Sequence, residues 1–218
     1  MSPRGQTKTD DKGGTDAKAG ADTVVRSSRR DELLATAGRM FAENGLRSTT
    51  VRDIADAAGI LSGSLYHHFD SKESMVDEIL RRFLDDLFAR YRQIASAGLS
   101  ATETLRGLVV ASFESIDAER NAVAIYQDEA KRLSGGQERF GYISELNVEF
   151  RQLWHAVLQR GGVDDGEFRP DLDVELVYRF MRDTVWVAVR WYRPGGPMTV
   201  ESIADQYLSI VLDGILPR

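Results

Sequence analysis

At 218 residues with 42% hydrophobic content, the chain is long enough to bury a core in one or two domains. It has no cysteine, which excludes disulfides and thiolate metal sites, and its net charge of -6 argues against a purely electrostatic nucleic-acid binder. The longest wholly apolar run, Val185 to Val189, falls far short of the roughly 20 residues that span a bilayer, and the N-terminus lacks the apolar stretch of a secretory leader; a cytoplasmic protein without membrane contact is expected.

Residues 1–27 are rich in Gly, Thr, Asp, Lys and Ala and predict a disordered tail, with a flexible arm reaching a minor groove as the less favoured reading. A helix is expected from about Arg29 to Asn44, with Leu33, Leu34, Ala37, Met40 and Phe41 as its inner stripe and Gly45 as its stop. The stretch Thr49 to Phe69, TTVRDIADAAGILSGSLYHHF, reads as two short helices joined by a turn at Gly59. Thr50 and Asp53 have the spacing of a capping box, and Val51, Ile54, Ala55 and Ala58 give the first helix one apolar side. Gly59 supplies the left-handed conformation that turns the chain. In the second helix Leu65 and Phe69 are the buried anchors, and Ser62, Gly63, Ser64, Tyr66 and His67 lie on the other side. Small polar residues followed by a phenol and an imidazole suit a major groove, so the pair reads as a helix-turn-helix. The candidate DNA-binding residues are Thr50, Ser62, Gly63, Ser64, Tyr66, His67 and Lys72, with Tyr66 and Lys72 on phosphates and Ser62, Ser64 and His67 near base edges. Periodicity alone fits two surface helices of an ordinary bundle equally well, and between Arg29 and Leu80 acidic residues outnumber basic ones, nine to six.

The individual residues add a resemblance. Thr49, Thr50, Ile54, Ala55, Ala58, Gly59, Ile60, Gly63, Ser64, Leu65, Tyr66, His68, Phe69, Ser71, Lys72 and Glu73 follow, without a gap, a pattern that resembles the N-terminal domain of TetR-family regulators. The resemblance implies a three-helix DNA-binding domain over 28–74 and a helical ligand-binding and dimerisation domain over 75–218. Leu61 departs from the pattern, standing where the family usually has a small polar cap, and Ser62 stands where a basic residue is frequent. Base preference therefore does not carry over from a relative.

Ser71 is expected to cap a long helix from Lys72 towards Ala95, lined by Met75, Ile79, Leu80, Phe83, Leu87 and Tyr91. Helical patterns follow over about 102–117, 121–133, 139–160, 173–192 and 199–215, separated by breaks at Ser134-Gly135-Gly136, Gly161 to Asp171, and Arg193-Pro194-Gly195-Gly196-Pro197. The fold class is all-α, with about nine helices. The last two carry apolar residues around much of their circumference, which predicts a homodimer pairing them in a four-helix bundle with Val211 and Ile215 in the interface; the alternative is a central helix of a monomer core.

Arg182, Trp186 and Arg190 fall at helical spacing and share one face. Structural ion pairing, as with Asp183, is the default for such arginines. The ligand reading instead places Arg182 on an anion, with Tyr126, Trp154 and Trp186 lining an apolar cavity. The segments IYQDEAKRL and FRPDLDVELVYRFMRDTVWVAVRWYRPGGP, with the motif itself, resemble an actinobacterial branch of the same family that represses genes of cholesterol-ring breakdown. That resemblance implies a dimeric repressor of an operator duplex, no cofactor, and an acyl-CoA thioester of a steroid-ring remnant as effector. An enzyme is not expected: adjacent His67 and His68 diverge on a helix, His155 stands alone, and no nucleophile motif is present. The rival readings are a helical acyl-CoA-binding protein or enzyme without DNA activity, and a TetR-type regulator with a different hydrophobic effector.

Overall fold

A computed structural model describes residues 15–136 and 138–215 of the chain. The described residues form nine α-helices and no strand: α1 (Thr15–Asn44), α2 (Val51–Ala57), α3 (Ser62–Leu65), α4 (Lys72–Ala95), α5 (Ala101–Ala118), α6 (Arg120–Gly136), α7 (Gly141–Gln159), α8 (Val174–Trp186) and α9 (Val200–Ile215).

Local chemistry sets most of these ends. Thr50 and Asp53 make the expected capping box at α2, and Ser71 with Ser74 makes another at α4. The Asp173 carboxylate accepts the Leu176 amide to open α8. Gly45 and Gly59, at φ 81° and 67°, make the left-handed turns that stop α1 and α2. The first turn of α5 is capped locally by the Ser100–Glu103 box and again from far along the chain, where Glu167 accepts the amides of Ala101 at 3.0 Å and Thr102 at 2.9 Å.

The N-terminal unit packs α1, α2 and α3 around Leu33, Leu34, Phe41, Leu46, Ile54 and Leu65, and Met75, Val76 and Leu80 of α4 close its core. The same α4 continues into the larger unit, where it meets α5 and α6; α5 is the hub, in contact with α4, α6, α7, α8 and α9. One continuous helix therefore belongs to both cores.

Several boundaries differ from expectation. Helix α1 starts at Thr15 rather than Arg29. The tail expected over 1–27 lies outside the described residues as far as residue 14. The second motif helix is a single turn. The helix expected over 173–192 leaves α geometry at Trp186 and tightens into a 3-10 turn, Val187–Arg190. Tightening of a last turn is common, and here it swings Arg190 off the face shared by Arg182 and Trp186. Arg190 points to Asp128 instead, at 3.5 Å. The expected break after α7 begins with a wide turn, Arg160–Asp164. Glycine is required there, because a Cβ on Gly161 would sit 2.3 Å from the Phe168 ring.

Helices α8 and α9 are not buried on all sides. Each buries one face, through Met181 and Val185 or Leu208 and Leu212, and exposes Leu176 and Phe180, or Ile210. Ile215, expected in a subunit interface, is only 6% exposed and belongs to the core of the single chain.

Candidate nucleic-acid interface and effector cavity

The motif presents two separate sets of side chains. Leu65 and Phe69 are buried and hold α3 down, and the Arg30 guanidinium lies 4.5 Å above the Phe69 ring. Gly63, Ser64, Tyr66 and His67 are exposed, and Ser62 is half-buried. Thr50 is exposed but occupied: its hydroxyl accepts the Asp53 amide at 3.2 Å and donates to the Asp53 carboxylate at 2.7 Å. At the N-cap of α3, Leu61 makes no side-chain hydrogen bond.

Lys72, expected on a phosphate, is turned inward. Its ammonium donates to the carbonyls of Leu46 at 2.7 Å and Thr49 at 3.1 Å, tying the first turn of α4 to the loop that enters α2. Sequence spacing could not foresee this, because the acceptors are backbone atoms more than 20 residues away.

Above the motif, two neighbouring arginines of α4 reach in different directions. Arg82 pairs with Asp31 of α1 at 2.8 Å and with Glu78 at 2.7 Å, and Glu78 also holds Arg30. Arg81 stacks 3.9 Å over the Tyr142 ring of α7 and donates to the Arg139 carbonyl at 3.3 Å.

Next along α4 lies a cavity of about 520 Å³ enclosed by α4, α6, α7 and α8. Its floor is aromatic and aliphatic: Phe83, Leu84, Leu87, Phe88, Phe150 and Trp186. Its polar groups are Tyr126, Gln127, Ser134, Asn147 and Tyr178, and its charged lining is Lys131, Arg151 and Arg182 against the single carboxylate of Asp183. A chain of net charge -6 thus presents a locally positive rim. The Tyr126 phenol is pushed up to about 12, chiefly by burial, so it stays a neutral donor, here to Asn147.

Of the cavity residues expected from sequence, Tyr126, Arg182 and Trp186 come together and Trp154 does not. Trp154 is 1% exposed and stacks on Phe150 at 5.6 Å, one layer behind the wall. Arg182 pairs with Asp183 at 2.7 Å, and its guanidinium lies over Tyr178 at 5.5 Å rather than over Trp186. The default ion-pair reading is therefore present, yet a side chain 43% exposed at a cavity mouth keeps free donors. Sequence reasoning missed Lys131 and Arg151. Arg151 pairs with Glu175 at 2.9 Å, and that carboxylate also holds Arg179 at 2.7 Å and lies 2.8 Å from His155. Glu175 can release Arg151 without being left unpaired.

Residues 33–79 match the family described as bacterial regulatory proteins, tetR family, and residues 98–215 match the tetracyclin repressor-like C-terminal domain. The chain is 68% identical to the HTH-type transcriptional repressor KstR2 of Rhodococcus jostii over 194 residues, 89% of this chain and 94% of that protein. The solved structure of the ketosteroid transcriptional regulator KstR2 of Mycobacterium tuberculosis superposes with a TM-score of 0.84 at 62% identity, covering 87% of this chain and 96% of that one. AibR, solved in complex with isovaleryl coenzyme A and operator DNA, shares the fold at a TM-score of 0.72 and 22% identity, over 84% of this chain and 97% of that one.

Proposed function

Because the chain belongs to the TetR family of bacterial regulatory proteins, we propose that it binds a pseudo-palindromic operator as a homodimer and leaves it on binding the CoA thioester of a steroid-ring catabolite. It is a ligand-responsive, TetR-type transcriptional repressor and not an enzyme; its near relatives are named transcriptional repressors.

One observation carries the effector reading: a cationic rim of Lys131, Arg151 and Arg182 over an aromatic floor. A CoA thioester has a matching split, with phosphates at one end and an apolar acyl group at the other. The acyl group fits a cavity of this volume, and the nucleotide end stays at the mouth. The ketosteroid regulator named among the relatives directs the choice of a fused-ring acyl group.

The operator reading rests on symmetry. One chain offers one recognition helix, so a two-fold dimer supplies two, set about 34 Å apart for successive major grooves. Phe180 and Ile210, exposed on α8 and α9, provide the apolar faces for that pairing. Tyr66 reaches a phosphate, and Ser62, Ser64 and His67 reach base edges.

Ligand and DNA favour different conformers, and the difference in ligand affinity between them is the coupling, typically ~1–3 kcal/mol. The contacts of Arg81 with Tyr142 and of Arg82 with Asp31 support α4 as the element that carries that coupling. Calorimetry of the CoA thioester with and without operator duplex tests the switch, since operator must weaken the ligand by the factor by which ligand weakens operator. Equal ligand affinity in the two titrations refutes it. Arg182→Met should spare operator binding and blunt release.

A further inference from the structure

Leu61 is 80% exposed, the most exposed of the large apolar side chains among the described residues. Of the others, Ile210, Phe180 and Leu176 lie on α8 and α9, the faces proposed above for pairing with a second copy, and Val163 lies in the wide turn after α7. Leu61 lies far from those helices in the chain, at the front of α3 and beside Ser62, Gly63 and Ser64. It also occupies the N-cap, where Ser, Thr, Asp or Asn would accept an amide of the first turn, and it leaves that turn without a side-chain cap. The position therefore gives up a local hydrogen bond and gains no burial in return.

The surface that α3 presents to DNA is otherwise polar. The base edges of the major groove offer hydrogen-bond donors and acceptors and one kind of apolar group, the C5-methyl of thymine. We propose that Leu61 is a specificity-determining residue that packs on a thymine methyl in the operator. An aliphatic side chain at the head of the recognition helix selects thymine over cytosine and over uracil, and it makes no demand on hydrogen-bond geometry. Ser62 and Ser64 remain free to bond the neighbouring edges. This assignment needs only the DNA binding of the family and holds whatever the effector is.

The test is a set of duplexes carrying a site selected by the full-length protein from random-sequence DNA. Each thymine is replaced in turn by deoxyuridine, which deletes one methyl and keeps every hydrogen-bonding group. The parent protein should lose roughly fourfold in affinity at one thymine per half-site, the value of one buried methyl-sized group. Leu61→Ala should bind the thymine and uracil duplexes equally at that position, and the cycle of protein and DNA changes cancels any effect of uracil on DNA shape. Leu61→Ser restores a cap and should fold at least as stably as the parent while showing the same indifference to the methyl. If every thymine-to-uracil change costs the parent and Leu61→Ala alike, or costs neither, the assignment is wrong.

Discussion

Replacing Lys72 by Met keeps the aliphatic stem and deletes the ammonium that ties Leu46 and Thr49 to the start of α4. A hydrogen bond to a charged group contributes about 1.5–3 kcal/mol. Lys72 is half-buried, so water takes over part of the loss at both carbonyls, and about 2 kcal/mol is expected in all. For a chain of this length that corresponds to a fall in Tm of about 4–8 °C. Operator affinity should fall with it, because the strap holds the loop that enters α2. The salt dependence should not change: a residue that orders the motif removes no counterion, whereas loss of a phosphate contact lowers the slope of log K against log salt by about 1. Thermal unfolding of both proteins and operator titrations from about 50 to 200 mM salt measure the two quantities. An unchanged Tm with a slope lower by about 1 would refute the reasoning and return Lys72 to the phosphate backbone.

Gly161→Ala should destabilise by about 1–3 kcal/mol or more, since its Cβ would sit 2.3 Å from the Phe168 ring and 2.9 Å from the Ala101 Cβ; a urea midpoint equal to the parent's would show that the turn yields freely. Phe180→Asp with Ile210→Asp should give folded monomers with weakened operator binding, and dimers in sedimentation would place the interface elsewhere. Glu167 carries a pH signature. Its carboxyl is held below the ordinary 4.5 by Thr102, through its side chain and amide, and by the Ala101 amide. A depressed carboxyl adds stability that is present above pH 4.5 and lost as the pH falls through the lower folded value. Glu167→Gln should therefore be less stable than the parent at neutral pH and show a flatter acid limb, and parallel urea midpoints across that range would contradict it.

The helices were legible in the sequence because their ends are local chemistry. Thr50 with Asp53, Ser71, Asp173, Gly45 and Gly59 act within a few residues of themselves, and each does what its spacing implies. The division of the motif into Leu65 and Phe69 beneath and Tyr66 and His67 above was legible for the same reason, since the helical period assigns the faces. The cavity was legible only in part. Phe150 and Trp154 sit four apart on one stripe of α7, and period alone does not say which borders a void and which lies behind it. Arg182 and Trp186 share a face, but the guanidinium found a carboxylate one residue away and the Tyr178 ring one turn back. Lys131 and Arg151 look like ordinary solvated charges until α6 and α7 are brought together.

The paired grips on Arg81 and Arg82 also set a mechanical ratio. Measured from the Arg81 grip, Lys72 lies about 14 Å away along α4, at 1.5 Å per residue. Phe83 lies only about 3 Å beyond the grip and Leu87 about 9 Å. If the grip is the fulcrum, a sideways push at Phe83 returns at the motif roughly four to five times larger, and the same push at Leu87 returns about one and a half times larger. The depth to which an acyl group reaches would then matter more than the total contact it makes. On that condition, bulk delivered at the Phe83 end of the cavity would move the recognition helix furthest for the least displacement of the wall.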